Sequence, residues 1–331
     1  MILLSFSIVC SFFVLPILRR RESFSKDKTL LLKAVLSLMI VCHHLAQRTD
    51  IPELYQFREL GGVVVCVFIF ISGYGLYSSW EKYGTNYLDN FHKRRTCKVL
   101  EPFLMASFLF ELLRVCGIFE AYNFENIVRN TVRYAYTPLP FSWYIYYVVL
   151  WYELFFLIFC IARQKVLLII MASLVYMLIS IKFMGDGWIW PSFGFAAGIL
   201  YKKHESFFDN MTWKSSNLFY ICVSVFVLVL VNIKDYPFSN YCVIIAYPMV
   251  AILLFELLKR FRFKLCVFVA FKGGISYEIY LVQGFPMMFF HGYFNIGNDY
   301  IYIFLSSGMT ILMAFFLDKF VHFFNKVTHS V

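Results

Sequence analysis

Charge is what this sequence has least of. Only 15% of its 331 residues are charged and 61% are hydrophobic, against about 25% and 45–50% in an ordinary soluble domain. Mean hydropathy is +0.70. A water-soluble globule is excluded; the solvent for most of these residues is lipid. No polar stretch is long enough to fold as an appended soluble domain. The nine cysteines contain no C-x-x-C, and most (Cys10, Cys66, Cys116, Cys160, Cys222) sit inside apolar runs. They read as small hydrophobes, which excludes a disulfide framework and a zinc site, so no metal is expected. No transporter-type internal repeat is visible on inspection. The first apolar run, 2–18, lacks positives before it and small residues after it, so it reads as a retained span rather than a cleaved signal.

What is there instead is a series of apolar runs. After 2–18 and Arg19-Arg20-Arg21 they fall at about 29–46, 62–80, 99–119, 141–162, 166–184, 188–201, 217–233, 241–258, 275–292 and 300–318. Most meet the ~17–25 residues needed to span. Run 188–201 is short and carries Pro191, Gly194 and Gly198, so it is expected to be broken or re-entrant. The fold class is all-α: a polytopic membrane bundle of about 11 helices. Residues 1–28 form an extra N-terminal span with a basic linker, and 29–331 form the main domain. The net charge of +10 would point to nucleic acid in a soluble protein; here the placement of the charges matters more. The segments 19–28, 81–98, 163–165, 202–216, 259–272 and 319–331 hold 22 Lys and Arg, and the alternate segments hold 5. Positive charge collects on the cytoplasmic side. The layout is therefore N-terminus outside, C-terminus inside, in a plasma (inner) membrane, with lipids as partners and no nucleic acid.

The stretch Lys33–His44, KAVLSLMIVCHH, begins with a cation and ends with paired histidines. Eleven positions on an α-helix are three turns plus about 20°, so Lys33 and His44 share a face roughly 16 Å apart. His43 is turned about 100° away. Ionisable groups inside a bilayer are costly and are functional candidates. The bland alternative is a snorkelling lysine and satisfied core histidines. Lys93, Arg94, Arg95 and Lys98 form a dense patch before Pro102; it suits either lipid anchoring or phosphate binding. Glu153 and Glu278 lie within spans and need partners; Arg114 or a histidine is open for the first. Ser72-Gly73 offers a close-packing notch. Arg48, Asp50, Glu53, Arg58 and Glu59 form either a solvated loop or the mouth of an acceptor site.

These pieces together resemble the membrane acyltransferase family 3, integral-membrane O-acyltransferases of bacterial polysaccharides. Lys33-x10-His44 is similar to the family's basic-x10-His signature, and Phe68-x-Phe-x-Ser-Gly-Tyr74 to its second-helix motif. Arg95 and Lys98 before Pro102 resemble its basic loop. Ser142-Trp-Tyr144, Phe193-Gly-Phe-Ala-Ala-Gly198 and Ile275-Ser-Tyr-Glu-Ile-Tyr-Leu281 follow in order. Lys33 stands where Arg is more usual, and Gln283 where many members carry His. The resemblance implies an acetyl-CoA-dependent O-acyltransferase. Its acceptor is a hydroxyl of a saccharide or lipid-linked saccharide of the cell envelope. In that reading His44, helped by His43, is base or acyl carrier, and Glu153 or Glu278 orients an imidazole. Lys33, Arg94, Arg95 and Lys98 hold the CoA phosphates, and Ser72 or Tyr74 is a candidate oxyanion donor. The competing reading is a glycolipid transporter or flippase, for which many spans and buried charges would serve equally.

Overall fold

Among the described residues the apolar runs fold as helices, with no strand. The computed structural model describes residues 26–118, 139–184, 186–211, 218–220, 222–223, 225–226, 239–260 and 274–328. The expected spans 2–18 and 217–233, the linker before residue 26 and the segment 261–272 lie wholly or largely outside these residues. In chain order the helices are α1 (Lys26–Ala46), α2 (Gly61–Tyr83), α3 (Phe91–Arg94), α4 (Thr96–Val115), α5 (Trp143–Ile161), α6 (Lys165–Phe183), α7 (Asp186–Ile189), α8 (Gly194–Lys203), α9 (Glu205–Asn210), α10 (Ser239–Arg260), α11 (Ser276–Val282), α12 (Gly284–Met288) and α13 (Asp299–Thr328). Among the described residues six helical segments are long and apolar enough to cross a membrane: Lys26–Ala46, Gly61–Tyr87, Trp143–Ile161, Lys165–Phe183, Tyr241–Lys259 and Asp299–Val327. Large apolar side chains stand open on their outer faces, including Leu167, Met171 and Leu178 of α6 and Phe304, Leu312 and Phe316 of α13. Water would not tolerate such belts, and lipid does.

Three expected spans differ from simple rods. Run 99–119 begins earlier, at Thr96, and α4 carries Lys98, Glu101, Glu111 and Arg114, too many charges for a plain lipid-facing helix. Run 188–201 is split, as its proline forewarns: α7 ends at Ile189 and α8 starts at Gly194. Run 275–292 is also interrupted. The helix breaks at Gln283, restarts as α12 and finishes in a π-helical turn, Phe289–Tyr293. Pro286 has no N–H to return to the carbonyl of Val282, which accounts for the break. The last helix, expected at 300–318, runs on to Thr328.

The chain divides into two compact units. One draws on Met1–Lys33, Glu59–Asp89 and Leu154–Val269, the other on Ala34–Arg58, Asn90–Glu153 and Ala270–Val331. Within the first, α2 and α8 press backbone to backbone. A Cβ on Gly73 would lie 2.3 Å from the Phe195 carbonyl oxygen, and one on Gly198 only 2.2 Å from that of Phe70. Only glycine permits this approach. Below this contact sits an ion-pair cluster. Lys259, 1% exposed, pairs with Glu205 at 2.7 Å and Asp209 at 3.1 Å. Lys202 reaches Glu205 at 2.8 Å, and the Tyr201 hydroxyl donates to Glu256. Burial works against the Glu205 carboxylate, but hydrogen bonds from Lys202 and Lys259, together with their charges, outweigh it. They hold Glu205 below the ordinary carboxylate value.

In the second unit α11 and α12 pack on α13, and α4 joins them. Tyr144 of α5 meets Tyr280 of α11 edge-on at 5.3 Å. Tyr277 donates to the Val99 carbonyl of α4 at 2.7 Å. These ties place the entry to α5 against α11, where the site forms.

Candidate active site

The site is built around the C-terminal turn of α1. A helix end leaves carbonyls without partners, and here Arg58 supplies two of the missing donors. Its guanidinium reaches the carbonyls of Ala46 and Thr49, both at 2.6 Å, and the Asp50 carboxylate at 3.1 Å. The loop after α1 is thus folded back rather than loose, with a 3₁₀ turn at Pro52–Phe57. The Phe57 carbonyl comes to 3.0 Å from Nδ1 of His43.

His44 is buried, 9% exposed. Its ring stacks on Phe141, with centroids 3.8 Å apart and planes within 14°. His43 lies beside it at 4.9 Å, tilted by 56°. Gln47, one turn on, reaches both rings: 3.4 Å from Oε1 to His44 Nδ1 and 3.2 Å from Nε2 to His43 Nε2. Nε2 of His44 has no hydrogen-bond partner among the described residues.

Phe141 is held unusually firmly. Its φ is +63°, a left-handed conformation that costs a bulky residue roughly 1–2 kcal/mol. Three contacts offset this cost. The Tyr280 hydroxyl donates to the Phe141 carbonyl. Gly284 packs so tightly that a Cβ there would lie 2.5 Å from Pro140 and 3.2 Å from the Phe141 ring. The Arg48 guanidinium stands 5.3 Å from the centroid of that ring, within cation–π range. Nε of Arg48 is buried, with no acceptor among the described residues. A strained residue pinned from several sides beside a buried imidazole is the pattern expected of a functional site.

The other sequence candidates fall elsewhere. Glu153 of α5 accepts a hydrogen bond from Thr96 at 2.8 Å and lies 3.3 Å from Nδ1 of His92. Its partner is thus a histidine and not Arg114, which Glu111 engages one turn away on the same helix. Around this pair, Lys93, Arg94 and Lys98 are exposed and Arg95 is half-buried. Lys33 is half-buried on α1, in the first unit. Glu278 is half-buried in the first turn of α11. Ser72 and Tyr74 have spent their protons. Ser72 donates to the Phe68 carbonyl and Tyr74 to Glu205, so neither is placed to serve an oxyanion. Gln283 is fully buried, and both ends of its amide lack partners among the described residues. Sequence reasoning missed Gln47, Phe141, Tyr280 and His92, whereas Arg48 belongs to the stretch it offered as the mouth of an acceptor site. Of the missed residues only Gln47 had a local signal, standing four residues after His43 and so on its face.

A family model described as an acyltransferase domain matches residues 31–319. The chain belongs to that family. No curated protein and no solved structure matches it. The acyltransferase domain thus takes in α1 from Leu31 onward, the basic stretch around Arg95 and most of α13. It includes every residue of the His44 site.

Proposed function

We propose that this membrane acyltransferase moves an acyl group, most simply acetyl, from acyl-CoA to a hydroxyl of a cell-surface glycan or its lipid-linked precursor. The observation that carries the proposal is His44: a buried imidazole clamped against Phe141, with one nitrogen uncommitted. That nitrogen takes the proton of the acceptor hydroxyl while its oxygen attacks the thioester carbonyl. The tetrahedral intermediate collapses, the C–S bond breaks, and the imidazolium returns the proton to the departing thiolate. The sugar ester and CoA thiol are the products. The same nitrogen also suits the acyl-carrier route: it attacks the thioester carbonyl, the C–S bond breaks and CoA leaves as thiolate; the acceptor hydroxyl then attacks the acyl carbon, the C–N bond breaks, and the hydroxyl proton goes to the thiolate. The unspent N–H of Arg48 is the donor best suited to the oxyanion.

The charge layout puts residues 81–98 at the cytoplasmic face, where acyl-CoA is found. Arg94, Arg95 and Lys98 are the cations proposed for its phosphates; the arginine fork matches phosphate oxygens. The same layout leaves His44 toward the outer leaflet. The Glu153–His92 pair sits within the basic patch and is better suited to organising it than to orienting His44.

The test is incubation of membranes containing the protein with acetyl-CoA labelled in the acetyl group, followed by tracing the label into glycan. Transfer dependent on His44 supports the reading. Glycolipid translocation with no consumption of thioester would replace it with a flippase.

A further inference from the structure

We infer that Gln47 sets which nitrogen of His44 carries the proton, and so makes Nε2 the basic one. The inference rests on the role proposed above for His44 and names a positioning residue for it. The relay starts at Phe57. A carbonyl oxygen can only accept, so the His43 Nδ1 that lies 3.0 Å from it must bear a hydrogen. Taken as neutral, His43 carries one N–H, so its Nε2 is then an acceptor. The group facing it at 3.2 Å is the Gln47 side-chain nitrogen, which donates. That fixes the amide: its oxygen is the end turned to His44 Nδ1, at 3.4 Å. An amide oxygen accepts, so His44 Nδ1 carries the hydrogen, and the lone pair is left on Nε2. With His43 neutral, each hydrogen bond in the chain has a single allowed direction once the Phe57 carbonyl sets the first. The orientation of a side-chain amide and the tautomer of an imidazole are decided together by such networks. Stacking on Phe141 fixes the plane of the His44 ring; Gln47 fixes its proton. The backbone that presents Phe57 is itself held by Arg58, so the relay is anchored in the folded-back loop.

The experiment uses the full chain, labelled with ¹⁵N-histidine and reconstituted in lipid nanodiscs, with His44→Asn to assign the ring signals. Two-bond ¹H–¹⁵N correlation distinguishes a protonated, pyrrole-type nitrogen from a pyridine-type one. The parent protein is expected to show His44 Nδ1 as pyrrole-type and Nε2 as pyridine-type. Gln47→Met keeps the length of the side chain but cannot accept from an N–H in the same way. It should turn His44 into a mixture of tautomers and lower kcat about tenfold, with KM for acetyl-CoA unchanged. Gln47→Glu still accepts from Nδ1–H, so it should retain the parental tautomer and most of the rate. Its membrane level and that of Gln47→Met, set beside the parent's, separate a relay effect from misfolding. A parent spectrum with the hydrogen on Nε2 overturns the inference. So does a Gln47→Met variant with parental spectrum and rate. If the spectra behave as expected but the parent transfers no acyl group, the tautomer assignment stands and the proposed function falls.

Discussion

His43 and His44 are neighbours in sequence with different surroundings. His44 is stacked and buried, while His43 faces the Phe57 carbonyl and the Gln47 amide. His44→Ala is expected to lower acyl transfer by about 10²–10⁴-fold with membrane levels intact. His43→Ala should act more mildly, through the hydrogen-bond chain. Equal, parental rates for both variants in the labelled acetyl-CoA assay would defeat the assignment. Arg95→Ala is expected to raise the apparent KM for acyl-CoA about 10- to 100-fold, the worth of one charge-assisted contact. An unchanged KM with altered membrane orientation would return the patch to lipid anchoring. The histidines were legible because an ionisable pair on an apolar helix is conspicuous. Phe141 was not. Its interfacial aromatic context explains it adequately in the sequence, and neither its positive φ nor its contact with His44 is encoded locally. Both arise from Tyr280 and Gly284, remote in the chain, which grip it from α11 and α12.

At the scale of elements, α2 and α8 stake their packing on three glycines. A Cβ on Gly194 would come 2.9 Å from the Cys66 carbonyl oxygen, close behind Gly73 and Gly198 in severity. Gly198→Leu should force the helices apart, at a cost of several kcal/mol beyond the ~1–3 of ordinary overpacking. The expected outcome is a sharp fall in the melting temperature of the detergent-solubilised protein. Gly75→Leu is the matched control, since nothing lies within 4 Å of a Cβ there; it should leave melting unchanged. A parental melting curve for Gly198→Leu would show that α2 and α8 are not in contact. The Ser72-Gly73 notch and the broken run at 188–201 were readable because small residues and proline act through the backbone, whose rules are local. The interruption at Gln283 had the same kind of signal in Pro286, but hydropathy ran through it unbroken. An apolar count measures burial in lipid and not helical continuity.

For the whole molecule, the charge layout makes a direct statement. A reporter active only in the cytoplasm should light after residue 90 or 262 and stay dark after residue 128. The reverse pattern would invert every side assignment. A second whole-molecule outcome follows from the Lys259 cluster. Glu205 is held below its ordinary value of 4.5, so its contribution to stability is present above that value. It is lost as pH falls through the lower value of the folded state. Melting temperature should therefore drop on acidification below about pH 4.5, and Glu205→Gln should flatten that part of the curve. An acid limb unaltered in the variant would assign it to other carboxylates. Finally, the left-handed backbone at Phe141 has a consequence for anyone evolving this protein. Glycine or asparagine would sit there more comfortably, yet neither offers His44 a ring to lie on. Screens that reward heat resistance alone should enrich such replacements at 141 and yield robust, silent proteins; screens that reward turnover should keep the phenylalanine and its strain.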